Sequence, residues 1–206
     1  MQINIDKKSG IFISIIAGLL IIIMAMAMHQ KSDRGFFGMN HDNRHGSMMD
    51  AEGSADLSGA DIMFLQMMIP HHQQAVDISE LALTKSTDSE LLALAQQIRD
   101  GQAAEIIQMK TWLASAKEDV DMGHSMGDSM GGMLSDLQLD ELKAANGKSF
   151  DLLWLSGMTG HHEGALHMSQ MIKNADNSEI KKFGENIVST QSAQIKQMAA
   201  MIKRLS

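Results

Sequence analysis

The chain has 206 residues with 25 acidic against 17 basic side chains, a formal charge of −8. That balance excludes nucleic acid as a partner, because phosphate-binding proteins need basic patches. The absence of Cys removes disulfides and thiolate metal centres together. The 20 Met and 9 His leave thioether and imidazole as the donors for any soft-metal site.

The first element is an uncharged apolar run, residues 11–28, preceded by Lys7 and Lys8. It is long enough to span a bilayer as a helix. Ala25 and Ala27 also offer the small residues of a signal-peptide cut. An uncleaved N-terminal transmembrane anchor (1–28) is favoured over a cleaved signal segment, with the short tail in the cytoplasm. Both readings export the rest of the chain. Residues 29–55 are rich in Gly, Asp, His and Met without helical or strand period, and read as a flexible tether; Met39, His41, His45, Met48 and Met49 fall within it.

The remainder repeats itself. At an offset of 90, Asp61, Leu65, Met68, His71, His72, Ala75 and Ser79 fall on Asp151, Leu155, Met158, His161, His162, Ala165 and Ser169. At an offset of 89, Glu90, Ile98, Gln102, Ile106 and Met109 fall on Glu179, Ile187, Gln191, Ile195 and Met198. Each unit reads as two helices joined by a short polar turn, Ser86 to Ser89 and Asn174 to Ser178. Apolar residues such as Leu91, Leu94 and Ile98, or Ile180, Phe183 and Ile187, recur three to four apart, and nothing alternates like a strand. The spacing predicts an all-α helical domain (56–206). It comprises hairpin 1 (56–115), a Met-rich loop (116–134) and hairpin 2 (135–206), packed as an antiparallel four-helix bundle. A short amphipathic helix, Leu137 to Ala145, is expected ahead of the second hairpin, stopping at Asn146 and Gly147.

Positions i, i+3 and i+4 share a helix face, so Met68 with His71 and His72 form a Met/His patch, echoed by Met158 with His161 and His162. His167 and Met168 extend the second set. Pro70 inside the first helix frees a carbonyl one turn earlier. The partner helices offer Gln102, Glu105 and Met109, and Gln191, Gln194 and Met198, each trio on one stripe. Met also serves as a flexible core filler, which is the plainer account of any single one. The loop residues Met122, His124, Met126, Met130 and Met133 have no core to fill. Thioether selects Cu(I), and Ag(I) by likeness, over Zn, Mg or Ca, so copper capture is expected there.

Enzyme readings fare worse. His162-Glu163-Gly164-Ala165-Leu166-His167 has one residue too many for the zinc-protease motif, and two His five apart are rotated about 140° on a helix. No Glu-x-x-His for a di-iron oxidase, no phosphate loop and no Cys nucleophile occur.

On these motifs, Met68-Ile69-Pro70-His71-His72 followed by Gln102-Ala103-Ala104-Glu105-Ile106-Ile107-Gln108-Met109, the chain resembles the domain of unknown function 305 (DUF305) family. The likeness covers about residues 56 to 115 and again 135 to 204. It implies a ferritin-like four-helix bundle in the bacterial envelope, similar to the CopM-type periplasmic proteins that bind copper and silver and support copper resistance. The second copy departs from the pattern at Gly160, in place of Pro, and at Gln194, in place of Glu.

The expectation is a non-catalytic, inner-membrane-anchored, periplasm-facing protein that sequesters Cu(I) or hands it to another copper-handling envelope protein. Its imidazoles are expected to protonate and release metal below their free pKa of about 6.5. The alternative is a helical interaction module with a Met-lined partner surface. An oxidoreductase acting on copper would further require an open coordination position.

Overall fold

Five helices carry the structure, a computed structural model that describes residues 57–121 and 131–206. They are α1 (Gly59–Lys85), α2 (Ser89–Ala116), α3 (Asp136–Ala144), α4 (Gly147–Met168, continuing as a 3-10 turn, Ser169–Ile172) and α5 (Ser178–Leu205). The fold is all-α, and every regular element among the described residues is helical. The apolar run 11–28, the tether 29–55 and the loop residues Met122, His124, Met126 and Met130 lie outside the described residues. Among the described residues no helix is long and apolar enough to cross a membrane.

Local chemistry sets the helix ends. Ser58 and Asp61 form a reciprocal capping box at α1, and Ser135 with Gln138 forms another at α3. Asp88 caps α2 and Asn177 caps α5, each accepting from two backbone N–H groups left without intrahelical partners. The polar turn of the first hairpin is Ser86 to Asp88, as the sequence indicates. Two boundaries differ. Gly147 opens α4 instead of closing α3; its φ of 54° lets the chain reverse directly from one helix into the next. The second hairpin also leaves regular helix sooner than expected. The 3-10 turn carries Ile172 (1% exposed) into the core against Gly184, where a Cβ would meet the Ile172 side chain at 2.8 Å.

Within each hairpin the two helices pack along their length, and the hairpins meet chiefly through α1 and α4, while α3 lies on α4. α1 and α4 are therefore covered on two sides, which is why their buried residues do not form one narrow stripe. Two apolar clusters result. One joins Ala75, Ile78 and Ala82 of α1 to Leu91, Leu94 and Ile98 of α2, Trp154, Leu155 and Met158 of α4, and Met198 and Met201 of α5. The other joins Phe64, Leu65, Met68 and Ile69 to Ile106, Met109 and Leu113, Ala165 and Met168, and Ile180, Phe183 and Ile187. The Trp154 indole N–H donates to the Ile78 carbonyl at 2.9 Å and ties the hairpins together. Along all four long helices, the residues between these clusters are polar: His71 and His72, Gln102 and Glu105, His161 and His162, Gln191 and Gln194.

Candidate metal centre

Adjacent His residues diverge by about 100° on a helix, so burying both requires partners on two sides. α1 has them. His72 faces α2, where its Nε2 donates to Glu105 Oε2 at 2.7 Å. His71 faces α4, its ring centroid 3.8 Å from that of His161. α4 repeats the pattern: His162 Nε2 donates to Gln194 Oε1 on α5 at 2.8 Å, and His161 Nε2 to the His71 backbone carbonyl at 2.9 Å. His71 Nε2 in turn donates to the Gly131 carbonyl at 3.3 Å. All four imidazoles are 0% exposed.

The acceptors fix the tautomer. Carboxylate and carbonyl oxygens only accept, so each Nε2 carries the proton and each Nδ1 keeps its lone pair in the plane of the ring. All four Nδ1 atoms are buried without a hydrogen-bond partner, as are both amide atoms of Gln102 and both of Gln191. An unmet buried polar group costs about 1–3 kcal/mol. Eight such atoms lie in one belt, where a water or an ion could satisfy them. The outer nitrogens are arranged as metal-binding His usually are, with the second N–H held by a carboxylate or carbonyl.

Burial also keeps His71, His161 and His162 neutral. Desolvation, reinforced by the neighbouring His72, pushes His71 down to about 3. It pushes His162 down to about 4 against the opposing effect of the hydrogen bond that His162 donates to Gln194, and holds His161 well below the ordinary range. Protonation of these three rings thus begins well below the 6.5 of a free imidazole.

The thioethers flank the belt. Met68, Met109 and Met168 lie in one apolar cluster, Met158 and Met198 in the other, none more than 4% exposed. Met68 and Met158 each stand one turn before the second His of their pair, and the Thr159 hydroxyl, which donates to the Leu155 carbonyl at 2.7 Å, lies 3.8 Å from the Met198 sulfur. His167 is exposed and stands outside the belt, and Met133 is half-buried at the end of the Met-rich loop. Among the described residues no three His, Asp or Glu side chains stand close enough to share one ion. An ion in the belt would therefore draw on thioether or amide donors besides imidazole, a set that suits soft copper better than zinc.

Sequence reasoning missed what closes the belt. The strap Gly131–Leu134 lies in the groove of α4. Gly164 is required there, because a Cβ would land on the Gly131 carbonyl oxygen, and at Gly132 (φ 88°) a Cβ would collide with the Gly160 carbonyl. Gln74 clamps the strap to α1, donating to the Leu134 carbonyl at 2.9 Å and accepting from its N–H at 2.8 Å. A glycine pair beside a helix carrying glycines at 157, 160 and 164 was the available signal.

An all-α domain of two repeated hairpins, with an enclosed imidazole belt at their junction, defines the class of protein. The particular family follows from comparison. Residues 61–202 match the family described as domain of unknown function (DUF305), and the chain belongs to it. It is similar to the solved structure of CopM in a Cu(II)-bound form at 37% identity, covering 71% of this chain and 97% of that one with a TM-score of 0.63. CopM in a Cu(I)-bound form matches at 35% identity, covering 70% and 96%, TM-score 0.58. A DUF305 protein of Streptomyces coelicolor thought to be secreted matches at 29% identity, covering 71% and 93%, TM-score 0.67. No curated protein matches the chain.

Proposed function

We propose that this chain is a copper-binding protein of the bacterial envelope that sequesters or transfers Cu(I), with Ag(I) as surrogate, inside an antiparallel ferritin-like four-helix bundle. One observation carries the reading: four buried imidazoles, each with Nε2 engaged by an oxygen acceptor and Nδ1 left without a partner. His71, His72, His161 and His162 would supply nitrogen. Met68, Met109, Met158 and Met198 would supply sulfur, and Gln102 a neutral oxygen. Binding requires no turnover, so these residues hold an ion and exclude water.

The solved CopM forms with Cu(II), Cu(I) and Ag bound support copper and silver as the cargo. The run 11–28 and the relative thought to be secreted support an envelope location with the helical domain in the periplasm. Met122, His124, Met126, Met130 and Met133 would form a weaker collecting arm, and another copper-handling envelope protein would receive the ion. The alternative, a Met-lined partner surface, loses its footing. Met68, Met109, Met158, Met168, Met198 and Met201 are buried, Met67, Met133 and Met171 are partly buried, and among the described residues only Met63 is exposed. Titrating the full chain with Cu(I) against a competing chelator tests the proposal. Uptake should fall when His71, His72, His161 and His162 are all replaced by Gln. Unchanged stoichiometry and affinity in that variant would remove the imidazoles from the account.

A further inference from the structure

The internal repeat is broken at one position that touches the belt. Glu105 and Gln194 occupy equivalent sites at the offset of 89 and play one structural role, accepting from the Nε2 of the second His of their own hairpin at 2.7 and 2.8 Å. One brings a formal negative charge, the other none. Among the described residues Glu105 is engaged by the His72 N–H and by no Lys or Arg, so its charge is not neutralised by a cationic side chain. The Glu105 side chain is 27% exposed and His72 fully enclosed, so the carboxylate's field enters the belt through that ring. The amides Gln102 and Gln191, also equivalent by the repeat, are neutral and leave this imbalance uncorrected.

We infer that the belt consists of two unequal half-sites, and that Glu105 makes the His72 half the first and tighter seat for a doubly charged ion while Gln194 leaves the His162 half suited to a singly charged one. This rests on the reading of the belt as a copper site. A carboxylate behind an imidazole raises the basicity of its free nitrogen, and such a partner typically changes metal affinity by about 10–100-fold. Coulomb attraction scales with ionic charge, so a 2+ ion feels the carboxylate about twice as strongly in free energy as a 1+ ion. Glu105 is thus a specificity-determining residue that touches no metal itself.

The test uses the full chain with Cu(II) and, separately, Ag(I), each titrated against a competing chelator, in the wild type, Glu105→Gln and Gln194→Glu. Both variants are near-isosteric, and each copies what the other hairpin already has, so the bundle is retained; far-UV circular dichroism checks it. The wild type should take up Cu(II) in unequal steps. Glu105→Gln should weaken the first by about 10–100-fold, Ag(I) by about the square root of that factor, and should alter the EPR spectrum of the first Cu(II) equivalent. Gln194→Glu should tighten the second Cu(II) step and leave that first spectrum unchanged. Wild type and Glu105→Gln binding Cu(II) within about twofold of each other would overturn the inference alone. Wild-type uptake that never involves the imidazoles would overturn the copper-site reading beneath it.

Discussion

Acidification should strip stability from the metal-free helical domain far faster than from an ordinary helical domain. His71, His161 and His162 are held neutral by burial, His162 down to about pH 4 and His71 down to about pH 3. The unfolded chain offers the same rings to water, where they take protons near 6.5. Their folded values are depressed, so the stability they allow is complete above 6.5 and is lost as pH falls, because only the unfolded state gains protons. Each ring contributes a slope of about 1.4 kcal/mol per pH unit. Three rings together remove about 6 kcal/mol between pH 7 and pH 5, a large share of the roughly 5–15 kcal/mol that holds a domain together. Urea unfolding of metal-free protein, followed by far-UV circular dichroism at pH 7, 6 and 5, measures this directly. The urea midpoint should fall steeply, and a His162→Gln variant should show about two-thirds of the wild-type dependence. A midpoint that barely moves between pH 7 and 5 would mean the three rings are not buried neutral, and the belt as described would be wrong.

Two further outcomes follow from the same geometry. Protons compete with metal only where they can occupy Nδ1, so silver-loaded protein should retain its ion at pH 5, where His71, His161 and His162 stay neutral; dialysis with metal analysis from pH 7 to pH 5 reads the retention, and release near pH 6.5 would contradict the lowered affinities. Gly164→Ala should destabilise by about 1–3 kcal/mol, because the new methyl meets the backbone of the strap. Gly160→Ala, where nothing lies within 4 Å of the added carbon, should be neutral or stabilising by up to about 1 kcal/mol. Thermal melts of the two variants separate strap packing from helix propensity.

The repeat made the hairpins legible, and with them the doubled Met-x-x-His-His that supplies the belt. What the pattern alone could not give was the second side of α1 and α4. Periodicity puts Met68, His71 and His72 in one patch although the two rings diverge by about 100°; only the α1 to α4 contact shows His71 stacked against His161 while His72 turns to α2. Gln191 and Gln194 were visible as equivalents of Gln102 and Glu105, whereas the charge difference acquires meaning only once both are seen on His Nε2. His167 lies near the second pair in sequence yet is exposed, since its position rotates it out of the α4 interior. The strap at Gly131–Leu134 was read as part of a loop because its order comes from a groove in α4, a tertiary feature without periodic signature. The expected Met patch proved to be core on either side of the imidazoles, which is the plainer reading of Met as packing.

The most direct test of the imidazole belt is a long-range proton–nitrogen correlation spectrum of protein labelled with 15N at His, recorded before and after adding Ag(I). The account predicts that His71, His72, His161 and His162 are all Nε2–H tautomers in the apo protein and that silver shifts their bare Nδ1 resonances. Nδ1 signals that stay in place while only Met methyl groups respond would contradict it.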